Sequence, residues 1–238
     1  MGRNVLLIGA SGDIGLAIAE QLASDGYSLL LHFNKHSGGF RGIREKFGDE
    51  CIISEIQADL SRADGVKGLL NKIVFPVDAI IFASGRSHHW PFQDSKEIDM
   101  DEMLTLHVKA PWMIVHDLLP SMIQNKEGKI IFITSIWGDV GASNEVMYSS
   151  VKGAQNSFVK ALAKEVAVSG ISVNAISPGF IDTKINQHLS VEEKQAIVNH
   201  IPSNRSGSPD DIANAVRFLM DEKSNYIQGE IININGGW

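Results

Sequence analysis

Short apolar runs rich in aliphatic and β-branched residues alternate along the chain with longer stretches that are apolar on one side only. The short runs predict seven strands, at residues 4–8, 28–33, 51–57, 79–82, 129–134, 171–176 and 230–234. The longer stretches predict helices, among them 14–25, 100–122, 145–169 and 209–220. Because each strand is apolar almost throughout, we expect helices on both faces of a parallel sheet.

The order of these elements is β-α-β-α, which predicts an α/β fold with a doubly wound, seven-stranded parallel sheet, the Rossmann fold. We expect a single domain over residues 1–238, since no polar linker or change in composition divides the chain. A ligand crevice is expected at the carboxyl ends of the strands. The irregular segment 178–200, with a helix from Val191, predicts a substrate lid around residues 180–203.

Composition narrows the class of protein without naming a ligand. A formal net charge of -7 over 238 residues argues against a nucleic-acid or anionic-membrane surface, which needs clustered Lys and Arg. Cys51 is the only cysteine, which excludes an internal disulfide and fits a reducing compartment. The chain runs directly into its first strand without a signal-peptide pattern, and no apolar stretch approaches ~18 residues. We therefore predict a cytoplasmic protein with no membrane or nucleic-acid partner.

A glycine-rich turn joins the first strand to the first helix, and it reads Gly9-Ala10-Ser11-Gly12-Asp13-Ile14-Gly15. Glycines at such a turn let backbone N–H groups approach a pyrophosphate at the helix N-terminus. We expect the Asp13 carboxylate to face away from the ligand and cap the helix. The alternative interpretation is a tight strand-to-helix turn that holds no ligand.

The end of the second strand bears on the choice of cofactor. An NAD site places an acid there, on the ribose hydroxyl. This chain reads Phe33-Asn34-Lys35-His36 instead, and an ammonium at Lys35 suits a 2′-phosphate. We predict NADP(H), with Asn34 and Lys35 at the adenosine ribose; the alternative is that Lys35 is a solvated loop residue.

Three polar residues predict a proton-transfer centre. Tyr148 and Lys152 are four positions apart, which puts them on one face of a helix, and Ser135 ends the fifth predicted strand. A free phenol has a pKa near ~10, so we expect the neighbouring ammonium to acidify Tyr148. The Ser135 hydroxyl is then available to hold a substrate carbonyl oxygen while Tyr148 donates its proton.

Together these segments resemble the short-chain dehydrogenase/reductase family. Gly9 and Gly15 match its T-G-x-x-x-G-x-G segment, although Asp13 replaces the middle glycine, and Ser135, Tyr148 and Lys152 match its catalytic serine, tyrosine and lysine. The resemblance implies an NADPH-dependent carbonyl reductase. It implies contacts with the adenine from Asp59-Leu60, with the cofactor from Ala83-Ser84-Gly85, and with the nicotinamide from Pro178-Gly179, Ile181 and Thr183. The full set of predicted cofactor-binding residues is Gly9, Ser11, Gly12, Asp13, Ile14, Gly15, Asn34, Lys35, Asp59, Leu60, Ala83, Ser84, Gly85, Tyr148, Lys152, Pro178, Gly179, Ile181 and Thr183.

The family's fourth catalytic residue is an asparagine that orders a water next to the lysine, and His107 stands at that position here. Histidine also donates and accepts hydrogen bonds, so we predict that His107 serves the relay and titrates near its ordinary pKa. The alternative is a buried histidine with a structural role. The adjacent His88 and His89 project apart and have no carboxylate or cysteine at ligand spacing, so no metal is predicted.

Two branches of the family are similar to this chain, and they differ in substrate. Its length and last residues resemble the 3-oxoacyl-acyl-carrier-protein reductases, with Lys126 and Lys164 where those enzymes carry basic residues for the carrier. The segments 135–143 and 152–155, with His107, resemble bacterial reductases of the 5-aminopentanone on elongation factor P, whose substrate bears an ammonium. A third possibility is a non-catalytic NADP(H)-sensing binding protein. By analogy with the family, we expect a homotetramer or homodimer.

Overall fold

The computed structural model describes residues 4–87, 89–187 and 189–238. They form one α/β domain around a seven-stranded parallel sheet with the order β3-β2-β1-β4-β5-β6-β7. The reversal of strand order between β1 and β4 opens a crevice at the carboxyl ends of the strands. The predicted doubly wound sheet is confirmed. The strands are β1 (Asn4–Ile8), β2 (Ser28–Phe33), β3 (Ile52–Gln57), β4 (Ala79–Phe82), β5 (Gly128–Ile133), β6 (Ile171–Pro178) and β7 (Ile231–Ile234).

Four strands begin or end at positions other than those predicted. Cys51 closes a 3₁₀ turn, Asp49–Cys51, so β3 starts one residue later. β5 runs from Gly128 to Ile133 and β7 starts at Ile231. β6 continues to Pro178, because a proline at the last strand position gives up only one ladder donor and its carbonyl still accepts from the Ile136 N–H at 3.1 Å.

The described residues contain nine α-helices, six of which pack in two layers on the faces of the sheet. They are α1 (Asp13–Ser24), α2 (Phe40–Phe47), α3 (Ala63–Leu70), α4 (Glu97–Leu104), α5 (Ala110–Asn125), α6 (Trp137–Val140), α7 (Val146–Val166), α8 (Val191–His200) and α9 (Pro209–Met220). Residues of α1, α2 and α9 pack with Val5 and Leu7 on one face of the sheet. Residues of α3, α5 and α7 pack with Leu6 and Ile8 on the other. Both sets of side chains of a strand are therefore buried, which explains the unbroken apolar runs.

The single helix predicted over 100–122 is wrong. α4 and α5 are separated by a π-helical turn, Thr105–Lys109, that contains His107. Pro111 has no N–H to donate to the carbonyl of His107, four residues before it, so regular α-helical bonding cannot continue there. Leu104, Thr105, Lys109 and Ala110 keep right-handed helical backbone angles, so the interruption mainly changes which carbonyls are left for other donors.

The segment between β6 and α9 contains the predicted lid. Its helix α8 begins at Val191, as expected, with a capping box between Ser190 and Glu193. No residue of α8 is buried, whereas Ile181 makes an isolated parallel bridge with Gly207 that anchors both ends of the segment. None of the helices in the described ranges is both long and apolar enough to span a bilayer.

Candidate active site

A cleft of about 870 Å³ lies at the carboxyl ends of the first six strands, at the reversal of strand order. The structure brings every predicted site residue except His107 to its lining. The glycine-rich turn, Asn34 and Asp59 border one end. Ser135 and Tyr148 border the other. The cleft therefore has the shape of an elongated site with a phosphate cradle at one end and titratable groups at the other.

The glycine-rich turn is shaped by close backbone approach. Gly9 has a φ of +82°, and a Cβ there would lie 2.5 Å from the backbone of Ser84. A Cβ on Gly15 would overlap the carbonyl oxygen of Gly9. Only glycine fits at either position, and the space left free next to the start of α1 suits a phosphate group. These residues fit a dinucleotide cofactor.

His32 supports this turn and was missed by the sequence reasoning. It lies on β2, is 3% exposed, accepts a hydrogen bond from the Gly9 N–H through Nδ1 at 3.1 Å, and donates from Nε2 to the Ala58 carbonyl at 3.0 Å. These two bonds require the neutral ring. Burial lowers its pKa to about 4, so the ring stays neutral near physiological pH. The available signal was a histidine inside an otherwise apolar strand.

Asp13 does not cap α1, contrary to the prediction. The helix begins at Asp13 itself, so the capping position belongs to Gly12, which has no side chain. The Asp13 carboxylate instead accepts from the Lys184 N–H at 2.6 Å and pairs with the Lys184 Nζ at 3.3 Å. Asp13 thus connects the glycine-rich turn with the start of the predicted lid.

The residues predicted near the adenosine lie on loops. The Asn34 carbonyl accepts from Gln57 Nε2, and the exposed Lys35 side chain borders the cleft. The Asp59 carboxylate accepts hydrogen bonds from the N–H and hydroxyl of Ser61, at 3.0 and 2.7 Å. Asp59 therefore stabilises its own turn, while Arg62 occupies the capping position of α3.

The predicted catalytic residues meet where β5 ends against α7. Ser135 is buried, and its Oγ accepts from the Trp137 N–H at 3.2 Å. The Lys152 Nζ lies 5.5 Å from the centre of the Tyr148 ring and donates to the Ile133 carbonyl at 2.8 Å. The amine is thus close to the ring but bonded to the backbone of β5.

The prediction that Lys152 acidifies Tyr148 is wrong in this arrangement. Desolvation by the surrounding protein, followed by the charge of Glu145, raises the Tyr148 pKa, and a hydrogen bond from Ser135 opposes this only in part. Part of the ring borders the open cleft, yet the packed protein near the hydroxyl still disfavours a phenolate. Burial lowers the Lys152 pKa to about 7. Both groups are shifted toward their neutral forms.

His107 lies behind these residues, outside the lining of the cleft. It is 1% exposed, its Nε2 donates to the Arg86 carbonyl at 3.1 Å, and its ring meets the Tyr148 ring edge to face, with 5.7 Å between centres. Nδ1 has no hydrogen-bond partner among the described residues. Burial, with a smaller effect of the Lys152 charge, lowers its pKa to about 3, so the predicted titration near the ordinary histidine pKa is wrong.

Gln155 completes this buried polar group; in the sequence it entered only as part of the segment 152–155, without a contact of its own. Its Nε2 donates to the His107 carbonyl at 2.7 Å, which is the carbonyl that Pro111 leaves without a helical donor. Its Oε1 is buried without a partner among the residues described. The signal was a glutamine on the inner side of an amphipathic helix, three positions after Lys152.

The remaining predictions concern two lysines, a pair of histidines and a metal site. Lys126 ends α5 at the edge where β5 begins, opposite the carboxyl end that opens the cleft, and Lys164 is near the far end of α7. His89 borders the cleft, whereas His88 lies outside the described residues. Within the described ranges, no three His, Cys, Asp or Glu side chains are grouped as metal ligands would be.

Fold and cleft together define an α/β oxidoreductase with a dinucleotide-type phosphate cradle beside a serine, a tyrosine and a lysine. A family model described as enoyl-(acyl carrier protein) reductase matches residues 9–238. The chain belongs to the short-chain dehydrogenase/reductase family.

The similarity to known proteins extends over the whole chain. The uncharacterized oxidoreductase YmfI of Bacillus subtilis (strain 168) is 48% identical over 242 residues, which is 100% of this chain and 99% of the relative. The 3-oxoacyl-[acyl-carrier-protein] reductase FabG of Staphylococcus epidermidis is 32% identical over 241 residues, again 100% and 99%. A crystal structure of a 3-oxoacyl (acyl-carrier-protein) reductase from Agrobacterium tumefaciens C58 with NADP bound has a TM-score of 0.91 and 26% identity, covering 100% of this chain and 94% of that one.

Proposed function

We propose that this protein is an NADPH-dependent reductase that transfers a hydride to a substrate carbonyl, as the 3-oxoacyl-acyl-carrier-protein reductases do. The observation that carries the proposal is the joint position of Ser135, Tyr148 and Lys152 in one cleft with the glycine-rich turn. A sensing protein without turnover needs the turn but has no use for these three side chains. The cytoplasm remains the expected location.

The cofactor would lie along the cleft in an extended form. Gly9 to Gly15 would bind the pyrophosphate, Asp59 and Leu60 the adenine, and Lys35 the 2′-phosphate that distinguishes NADP(H) from NAD(H). Ala83, Ser84 and Gly85 would flank the ribose. Pro178, Gly179, Ile181 and Thr183 would surround the nicotinamide, and the segment 180–203 would cover the substrate. The NADP-bound structural neighbour supports this choice of cofactor.

The bound nicotinamide supplies the hydride, and the chain supplies the rest of the chemistry. The Ser135 hydroxyl donates a hydrogen bond to the carbonyl oxygen and keeps it next to the phenol. Tyr148 transfers its proton to that oxygen as negative charge develops there. Lys152, whose pKa burial lowers to about 7, then returns a proton to the phenolate. His107 and Gln155 hold the backbone behind this group in position.

A specific observation also favours a cationic substrate, the aminopentanone borne by elongation factor P. Glu145 borders the cleft, and its charge acts on Tyr148, so it is close to the reacting carbonyl. A carboxylate there attracts an ammonium group and repels anions. Lys126 and Lys164, the expected contacts with an acidic carrier, lie toward the opposite edge of this subunit. This is the second candidate function.

Turnover of matched substrates tests these functions. NADPH oxidation would be followed with acetoacetyl-acyl carrier protein and with elongation factor P that carries the aminopentanone, each beside its unmodified protein. Faster turnover of the carrier-bound substrate supports the first candidate, and faster turnover of modified elongation factor P supports the second. Tight NADPH binding without turnover of either contradicts both and favours a sensor.

The proposed homotetramer or homodimer would use the outer face of α5 and α7. Trp112 is 49% and Ile123 43% exposed on α5, and the Trp112 ring lies 6.2 Å from that of Phe158 on α7. Large apolar side chains exposed on adjacent helices favour burial against a second copy. Light scattering of the purified protein would measure the mass, and a monomer at micromolar concentration would contradict the proposal.

A further inference from the structure

Two tryptophans that are far apart in sequence meet at the substrate end of the cleft. Trp137 and Trp238 both border it, and their rings pack edge to face with 5.1 Å between centres and 73° between planes. This is a favourable aromatic geometry, and it produces a broad, rigid apolar surface. Neither residue belongs to the predicted cofactor or catalytic set.

Trp137 is fixed directly beside the predicted carbonyl site. It is the first residue of α6, and its backbone N–H donates to the Oγ of Ser135 at 3.2 Å. This bond fixes the backbone of Trp137 next to Ser135, and both residues border the cleft. The Trp137 side chain therefore starts directly beside the predicted carbonyl site.

Trp238 is placed by a tight turn packed on the end of the lid segment. The Asn235 side chain donates to the Trp238 carbonyl at 2.6 Å and accepts from the Gly237 N–H at 3.0 Å. Gly236 and Gly237 have φ values of +67° and +91°, which favour glycine. The Gly236 carbonyl accepts from the Ser203 N–H at 3.0 Å. The Trp238 ring is thus held against Trp137 by the backbone and remains 37% exposed.

We propose that Trp137 and Trp238 form the wall on which the carbon chain of the carbonyl substrate packs, so that affinity for the substrate rises with the length of its aliphatic chain. The inference deepens the proposed reductase function and rests on it. Ile185, Leu189 and Ile197 from the lid segment border the same cleft and supply further apolar surface for that chain. An apolar surface of this kind buries successive methylenes of a chain that lies along it.

A series of 3-oxoacyl thioesters of increasing chain length tests the wall. Full burial of one methylene raises affinity about fourfold, and burial on a partly open surface about twofold. We expect kcat/KM of the parent to rise about twofold or more with each added methylene. Trp238→Ala should remove most of this increase, mainly through KM, and should leave NADPH affinity nearly unchanged.

Two further variants make the result specific. Trp238→Phe keeps an apolar ring and should retain much of the dependence on chain length; it also serves if Trp238→Ala does not fold, as judged by circular dichroism. Phe75→Ala removes an aromatic side chain that is 41% exposed and does not border the cleft, and it should behave as the parent.

The outcomes separate this inference from the function on which it rests. A parent that reduces no member of the series contradicts the proposed function. An active parent whose dependence on chain length survives both Trp238 substitutions overturns the inference and leaves the function standing. Loss of NADPH affinity in Trp238→Ala, with unchanged dependence on chain length, also overturns it, because the ring would then belong to the cofactor site.

Discussion

Replacing Gln155 by methionine tests the hydrogen bond that α7 donates to the π-helical turn between α4 and α5. The Gln155 Nε2 donates to the His107 carbonyl, and Pro111 offers no N–H in its place. A buried acceptor left without a partner costs about 1 to 3 kcal/mol. Because the Oε1 of Gln155 has no protein partner among the described residues, its removal offsets part of this loss. We therefore expect the free energy of unfolding to fall by about 1 to 2 kcal/mol.

The neighbouring Asn156→Leu substitution is the matched control. Asn156 is also buried on α7, and its Oδ1 has no hydrogen-bond partner within the described ranges, so replacing it breaks no bond at that atom. Urea unfolding followed by circular dichroism would give both free energies, with a change below about 0.5 kcal/mol expected for Asn156→Leu. Equal losses in the two variants would refute the reasoning, because they would attribute the effect to packing on α7 in general.

Three further predictions concern His32, Asp13 and Tyr148. The neutral His32 has a pKa lowered from 6.5 to about 4, so its contribution to the free energy of unfolding is full above about 6.5 and falls by roughly 3 kcal/mol toward pH 4. Because the pKa of His107 is also lowered, to about 3, urea unfolding at several pH values should show a larger total loss, and His32→Gln should make that loss smaller without abolishing it. Asp13→Ala removes the acceptor of the Lys184 N–H, so hydrogen exchange at that amide should accelerate while overall stability changes by less than about 1 kcal/mol; unchanged exchange would contradict the connection. Tyr148→Phe should lower kcat by roughly 10²-fold or more with NADPH affinity retained, and undiminished turnover would exclude the phenol as proton donor.

The sheet could be predicted from sequence because a parallel strand with helices on both faces is apolar on both faces. Val5 and Leu7 face one helix layer and Leu6 and Ile8 the other, so the run stands out without any knowledge of its neighbours. The π-helical turn at His107 was not predicted from the apolar pattern. Pro111 lies inside the predicted helix 100–122 and was a local sign of the interruption, because a proline there cannot donate the helical hydrogen bond.

The lining of the cleft could be predicted because strand ends and turn glycines have local patterns. His32, Gln155 and Trp238 could not, because their partners, Gly9, the His107 carbonyl and Trp137, are brought to them only by the tertiary fold. The predicted protonation behaviour of Tyr148 and His107 was wrong for the same reason. Spacing on a helix places an amine near a phenol, but burial decides which form of each group is stable.

Burial raises the pKa of Tyr148 and lowers the pKa of Lys152. These shifts determine which form of each group is present near neutral pH. The raised Tyr148 pKa keeps the phenol protonated over the whole range near neutral pH, while the lowered Lys152 pKa makes the amine easy to deprotonate. An alkoxide that forms on a reduced carbonyl is far more basic than a phenolate, so it takes the proton from even a raised phenol. Oxidation of an alcohol needs the phenolate first, which this surrounding disfavours. Near neutral pH the phenol is therefore already in the protonated form that reduction needs, whereas the rate of alcohol oxidation should increase as the pH rises; the equilibrium between the two directions is unchanged.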